Sequence, residues 1–232
     1  MNEINIITPG GFGDAFTYSS VIKNKYCNEY DIVNLNVPRV NRLYKVLYND
    51  TPNVRIGPNP NAPTKRLRWQ DCVEDWDSWR KVDWNREMEK EQACYDHFVE
   101  RYGDKYNVIH WRGRNNAGEQ MVNINPEHYE NQELPVINLD ADWLKANDHP
   151  IHDITDYRLL IEKAQEVHMY EGNFSSLVAG LELEPPFYLH LYCKRELFNP
   201  NKVHHDCIKF INEGKWMKDN VNVTYLFDYE KK

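Results

Sequence analysis

The sequence predicts an α/β fold, because short runs of β-branched and aromatic residues alternate with helical patterns along most of the chain. In the first part of the chain, strand-like segments at 4–7, 31–37 and 54–56 are separated by helical patterns at 14–25 and after Pro38. This βαβαβ order favours a parallel sheet, since parallel neighbours need a crossover connection between them.

The same alternation returns after Gly103, so we expect a second α/β half with a mainly parallel sheet. Its predicted strands are 108–111, 136–139, 166–170, 187–192 and 221–227, with helices near 155, near 173 and at 205–212. The predicted organisation is an N-terminal half at 1–65, a Trp-rich helical connecting segment at 66–102 and a C-terminal half at 103–232. The stretch 57–63 contains three prolines and is the clearest linker candidate.

The composition supports a folded core and excludes several classes of protein. Of the 232 residues, 41% are hydrophobic and 13% are aromatic, which argues against intrinsic disorder. No apolar run approaches the ~20 residues that span a bilayer, and the N-terminus lacks the pattern of a signal peptide. We therefore expect no membrane span and a cytoplasmic location, which would be the host cytoplasm for a viral protein.

The charge and the cysteine content disfavour further classes of partner and of site. A net charge of −8 disfavours the broad cationic surface that nucleic acids require, whereas a local pocket with a few cations can still hold a phosphate. The five cysteines are odd in number and show no Cys-x-x-Cys spacing. Neither a disulfide framework nor a zinc ribbon is predicted, and reduced thiols fit a cytoplasmic protein.

The first candidate motif contains Gly11, Gly13 and Asp14, between the first strand and the first helix. Glycines at this place let the backbone turn sharply and approach a ligand. An NAD fingerprint would need a third glycine where Phe16 stands and an acidic residue near Asn36, so NAD binding is disfavoured. A helix N-cap is the alternative role of Asp14.

The second candidate motif follows a predicted strand and contains His110, Arg112 and Arg114. Ligands of open α/β sheets bind at the carboxyl ends of strands, and arginines offer fork-shaped donors to a diphosphate. A pair of solvated arginines on a surface loop is the alternative interpretation.

The third candidate motif also follows a strand and contains Glu171, Asn173, Ser175 and Ser176 at the start of a helix. Hydroxyls and backbone N–H groups at such a turn can hold an anion, and Glu171 can accept hydrogen bonds from sugar hydroxyls. Ordinary helix capping explains Asn173 or Ser175 equally well.

The remaining candidate residues are expected to have structural roles. His168 and His190 lie in apolar strands and are expected to be satisfied core histidines, and the acidic pair Asp140 and Asp142 is expected to be a surface loop rather than a Mg²⁺ site. The segment 204–207 (His-His-Asp-Cys) is a poor metal site, because adjacent residues rarely converge on one ion. The tryptophans between 69 and 84 are expected to pack the connecting segment, with sugar or base stacking as the alternative.

With these loops in place, the chain resembles small GT-B-type glycosyltransferase-like proteins of bacteria and viruses, and is distantly similar to heptosyltransferases and fucosyltransferases. The resemblance covers roughly residues 4–195. It includes the loop 11–14, the segments 30–33 and 53–56, the segment 75–79 followed by 86–89, and the strand and helix within 156–177.

The resemblance implies a reduced GT-B-like fold of two Rossmann-like halves that transfers a sugar from a nucleotide-sugar donor to a glycan or small-molecule hydroxyl. The reaction would need neither metal nor another cofactor and would take place in the cleft between the halves. Asp14 would be the general base, and the groups on the donor would be Gly11, Gly13, His110, Arg112, Arg114, Glu171, Asn173, Ser175 and Ser176. Nothing in the sequence fixes the oligomeric state.

The relatives usually have Asp-Ser-Ser-Phe where this chain has Glu171-Gly172-Asn173-Phe174. This difference motivates an alternative hypothesis, a catalytically inactive relative that binds a nucleotide or glycan or assembles with a partner. Turnover of a donor separates the two hypotheses.

Overall fold

The computed structural model describes residues 1–8, 12–37, 41–68, 71, 85–111, 123–129, 133–170, 172–181, 183–190 and 223–226. The chain forms two compact units, Met1–Arg86 and Glu87–Lys232, so the division falls inside the predicted connecting segment. Each unit contains a parallel sheet accompanied by helices, which confirms the predicted α/β class with two Rossmann-like halves.

Four strands form the sheet of the N-terminal unit: β1 (Glu3–Ile7), β2 (Ile32–Asn36), β3 (Val54–Ile56) and β4 (Thr64–Arg66). Their order is β3-β2-β1-β4, and every neighbouring pair is parallel. Helix α1 (Phe12–Val21) continues through a π-helical turn (Ile22–Tyr26) into the short α2 (Cys27–Glu29), and α3 (Asn41–Leu47) lies between β2 and β3. Strand β4 was not predicted.

The core of this unit lies around its two central strands. Ile4 and Ile6 of β1 and Leu35 of β2 are buried, as expected for strands inside a parallel sheet. Phe16 and Tyr18 of α1 are buried as well. The apolar residues at the strand and helix positions thus meet in one core.

An asparagine ties the proline-rich stretch 57–63 to the middle of this sheet. Asn5 is 4% exposed, and its Nδ2 donates hydrogen bonds of 2.8 Å to the carbonyl oxygens of both Asn59 and Ala62. Its Oδ1 accepts from the backbone N–H of Asn59 at 2.9 Å. These residues therefore form an anchored connection from β3 to β4 within the N-terminal unit.

Five strands form the sheet of the C-terminal unit: β5 (Asn107–His110), β6 (Val136–Asn138), β7 (Val167–Tyr170), β8 (Phe187–His190) and β9 (Val223–Leu226). Their order is β6-β5-β7-β8-β9, again with every pair parallel. The helices are α4 (Met88–Tyr102), α5 (Ala141–Ala146), α6 (Arg158–Glu162) and α7 (Asn173–Val178), with 3-10 turns at Pro126–His128 and Ile154–Tyr157.

Helix α4 packs against the 3-10 turn Ile154–Tyr157 and against α6, and its side chains of Cys94 and Phe98 are buried. It ends at Gly103, whose φ of 83° lies in the region that favours glycine, and whose N–H donates to the carbonyl of Val99. In the part of the chain that the structure describes, no helix combines the length and hydrophobicity needed to cross a bilayer.

Candidate functional site

The strand order of the C-terminal sheet changes direction at β5. After β5 the chain adds β6 on one side and β7 on the other, and β8 and β9 then extend the second side. In open parallel sheets, ligands bind outside the carboxyl ends of the strands at such a switch point. Here the switch point lies between β5 and β7, and the last residues of these two strands are His110 and Tyr170.

His110 is held among aromatic rings at this edge. Its ring centroid lies 4.8 Å from that of Tyr170 and 4.6 Å from that of Phe174. The residue is 7% exposed, and its Nδ1 is buried without a hydrogen-bond partner in the described part of the structure. Burial lowers the pKa of His110 to about 3, although the nearby Asp140 acts in the opposite direction. The imidazole is therefore neutral at physiological pH.

Gly172 forms the turn that follows β7 and lies close under the ring of Tyr170. A Cβ atom at position 172 would come within 2.7 Å of the ring carbon Cε2 of Tyr170 and 2.8 Å of its hydroxyl oxygen. Such contacts are closer than side chains tolerate, so the ring position requires a glycine here. The turn thus depends on close packing between its backbone and an aromatic side chain.

Three of the predicted residues, Asn173, Ser175 and Ser176 at the start of α7, bond to the local backbone. Ser175 Oγ accepts from the N–H of Gly172 and donates to its carbonyl, both at 2.8 Å, and Ser176 Oγ donates to the same carbonyl at 3.0 Å. Asn173 Oδ1 accepts from the N–H of Phe174 at 3.0 Å. The structure shows that these side chains hold the shape of the turn.

Asp140 follows β6 at the same edge of the sheet and caps α5. Its Oδ1 accepts from the N–H groups of Asp142 at 3.1 Å and Trp143 at 3.2 Å. The residue is 5% exposed, whereas Asp142 is exposed. The prediction of an acidic surface loop is therefore wrong for Asp140, whose buried carboxylate caps a short helix instead.

The N-terminal sheet has its own switch point, between β1 and β4. Thr8 follows β1 there, and its Oγ1 shares a 2.6 Å hydrogen bond with the hydroxyl of Tyr44 from α3. Asp14 and Gly13 belong to α1, and the side chain of Asp14 lies outside the described part of the structure. Phe16 is fully buried, so the position of a third NAD-fingerprint glycine is filled by a core side chain.

Several predicted residues cannot be placed against this geometry, because they lie outside the described residues. They are Gly11, Arg112, Arg114, Glu171, the tryptophans of 69–84 and residues 191–222, which include the segment 204–207. Of the predicted donor-site residues, the structure brings His110 and the helix start after Gly172 to one edge of the C-terminal sheet, where Phe174 lies against the His110 ring and Asp140 is nearby. Tyr170 and Phe174 were not predicted to take part.

The two core histidines form a hydrogen-bonded pair, in agreement with the sequence prediction. His168 Nδ1 and His190 Nε2 are 3.1 Å apart, and His168 Nε2 lies 3.3 Å from Glu166 Oε2. Because the Glu166 carboxylate accepts from Nε2–H, Nδ1 of His168 accepts from His190 Nε2–H. Burial lowers the pKa of His168 to about 4 and that of His190 to about 2.

A second histidine pair was missed by sequence reasoning. His97 Nε2 of α4 lies 3.0 Å from His149 Nδ1, and the hydroxyl of Tyr102 lies 2.8 Å from His149 Nε2. The ring of Trp143 stacks on His149 at 5.5 Å. A histidine on an otherwise charged helix gives no signal of this contact, because its partner is far along the chain.

Within the described ranges, no group of three or more His, Cys, Asp or Glu side chains is placed to hold a metal ion. No protein-family model matches the chain, and neither a curated protein nor a solved structure matches it significantly. The strand orders and the residues at the strand ends are therefore the basis for a function.

Proposed function

We propose that the C-terminal unit binds a nucleotide sugar at the carboxyl ends of β5 and β7 and that the protein transfers the sugar to a hydroxyl acceptor. The observation that carries the proposal is the switch point itself, because its strand order is the one on which doubly wound folds bind nucleotides. His110 and the Gly172 turn at this edge supply a neutral imidazole and a closely packed backbone turn.

The proposed reaction is a displacement at the anomeric carbon of the donor sugar. The acceptor oxygen forms the new bond, the bond from the anomeric carbon to the diphosphate oxygen breaks, and the diphosphate leaves with the electron pair. Asp14 takes the proton of the acceptor hydroxyl, and Arg112 and Arg114 stabilise the charge on the leaving diphosphate. Ser175 and Ser176 hold the Gly172 turn in shape through their bonds to its carbonyl.

A thermal-shift series with UDP, GDP, CDP, ADP and their sugars tests the donor site. A ligand that binds only the native state raises the melting temperature by mass action. We expect one nucleotide diphosphate to raise it and the variant R112Q/R114Q to lose most of the shift. The variant R55Q is the matched control, because Arg55 is an exposed arginine of the N-terminal unit. No shift with any nucleotide would exclude the proposed donor site.

The second candidate function is that of a catalytically inactive protein that binds a nucleotide or glycan. The hydroxyls of Ser175 and Ser176 favour it, because they bond to the Gly172 backbone and so have a structural role without a ligand. A binding protein would show the thermal shift without donor hydrolysis or transfer across a panel of acceptors. For the enzyme, we expect transfer that falls by about 10²–10⁴-fold in the variant D14N.

A further inference from the structure

Nδ1 of His110 is a buried polar atom that has no hydrogen-bond partner among the described residues, and His110 lies at the carboxyl end of the strand beside the switch point. Buried polar side-chain atoms in native proteins nearly always have a partner, because an unpaired one loses its bond to water without replacement. An unpaired nitrogen at an expected ligand edge thus indicates a bond that forms with the ligand.

The surroundings of this ring decide which part of a nucleotide sugar it suits. The described rings against it, Tyr170 and Phe174, are uncharged aromatic groups at 4.8 and 4.6 Å. Among the described charged groups, the one that acts on the ring is the carboxylate of Asp140. Its negative field opposes the approach of a second anion, so the position disfavours a phosphate.

We propose that Nδ1 of His110 exchanges a hydrogen bond with a neutral hydroxyl of the nucleoside part of the donor, and not with its diphosphate. The inference rests on the proposed function and specifies which part of the donor His110 contacts. A hydroxyl both donates and accepts, so it suits either tautomer of a neutral imidazole. The low pKa of His110 agrees with a hydroxyl partner, because a neutral ring supplies no positive charge to a phosphate.

The inference predicts opposite effects on stability and on binding for the variant H110F, which keeps a ring among the aromatic side chains and removes both nitrogens. The free protein should keep or raise its melting temperature, since the buried Nδ1 makes no bond in it. The affinity for the nucleotide diphosphate should fall by about tenfold, which corresponds to one lost hydrogen bond.

Titration calorimetry with wild-type protein, H110F and H110N tests the inference, using the nucleotide diphosphate with the largest thermal shift and the matching nucleoside. We expect H110F to weaken both ligands by the same factor and H110N, whose amide stands near the position of Nδ1, to restore part of the affinity. The variant H152F is the control, because it removes another buried unpaired imidazole nitrogen, at a residue that precedes the 3-10 turn Ile154–Tyr157 and does not end a strand. It should leave both affinities unchanged.

Two results would overturn the inference while leaving the nucleotide site in place. One is an H110F protein with wild-type affinity for the nucleotide diphosphate. The other is weakened binding of the diphosphate with unchanged binding of the nucleoside, which would place His110 on the phosphates. Wild-type protein that binds no nucleotide would instead refute the proposed function, and this inference with it.

Discussion

All nine histidines of the chain lie in the C-terminal unit, and the N-terminal unit, residues 1–86, contains none. Both units are built on parallel sheets that bury amide side chains, Asn5 and Asn34 in the first and Asn107 and Asn138 in the second. The C-terminal sheet also buries imidazoles, among them those of His168 and His190. Amides do not titrate, whereas imidazoles gain a proton near neutral pH. Two similar architectures should therefore respond differently to acid.

The largest expected effect is selective acid unfolding of the C-terminal unit. The pKa values of His110, His168 and His190 are lowered in the folded protein, so below about pH 6.5 the unfolded chain binds more protons than the folded one. Their stabilising contribution is fully present above that pH and is lost as the pH falls toward the folded values. Three such groups give a slope of up to about 4 kcal/mol per pH unit.

Pulsed hydrogen exchange at a fixed labelling pH, after incubation between pH 7.5 and 4.5, measures the two units separately. We expect peptides of residues 87–232 to lose protection at a higher pH than peptides of residues 1–86. Asp156, whose pKa is raised by burial, opposes this trend as a single group. Simultaneous loss in both units would show that the histidines do not set the difference.

The next largest effect should come from splitting the histidine pair. The variant H168F removes the acceptor of the hydrogen bond from the buried Nε2–H of His190, which costs about 1–3 kcal/mol, whereas H168F/H190F removes both partners and should cost less. Urea unfolding at pH 7.5 measures both variants, and the double variant should also unfold at a lower pH than wild type. A double variant less stable than H168F would mean that the pair contributes packing rather than a matched bond.

The matching test in the N-terminal unit is N5A. This change leaves the N–H of Asn59 and two carbonyls without the bonds that hold the 57–63 connection, and should cost about 2 kcal/mol. Because no titrating group takes part, the loss should be the same at pH 7.5 and 6. A loss that changes with pH would contradict the contrast between amide and imidazole.

The smallest effect concerns the Gly172 turn. The variant G172A should cost about 1–2 kcal/mol, because its Cβ would meet the ring of Tyr170. The variant G172A/Y170L removes the opposing ring and should recover part of the loss relative to Y170L alone. Thermal unfolding of the four proteins gives the coupling, and strictly additive losses would show that the ring and the glycine are independent.

The sequence predicted the buried strands well because most of their residues are apolar, even though β1 and β7 each also bury a polar side chain, Asn5 and His168. It missed β4, whose residues Thr64–Arg66 are exposed and polar and join the sheet by pairing with β1. It also missed α5, because the carboxylate of Asp140 that caps this short helix suggested an acidic loop. Short elements whose stability comes from partners far along the chain leave no local pattern.

For the site, sequence reasoning placed His110 at a strand end, and the structure agrees. It could not show that Tyr170 and Phe174 enclose the ring, because that contact depends on how β7 and α7 pack beside β5. Nor could it show that Ser175 and Ser176 bond to Gly172, since hydroxyls at a turn serve ligands and backbone equally well.

The most direct measurement of the central claim is hydrogen exchange of the wild-type protein with and without the nucleotide diphosphate that gives the largest thermal shift. Binding at the switch point predicts added protection in peptides covering 107–111 and 170–178, at the carboxyl ends of β5 and β7. Peptides of the N-terminal sheet, such as 1–8 and 54–66, should change little. Protection confined to residues 1–86, or no protection anywhere, would contradict a nucleotide site in the C-terminal unit.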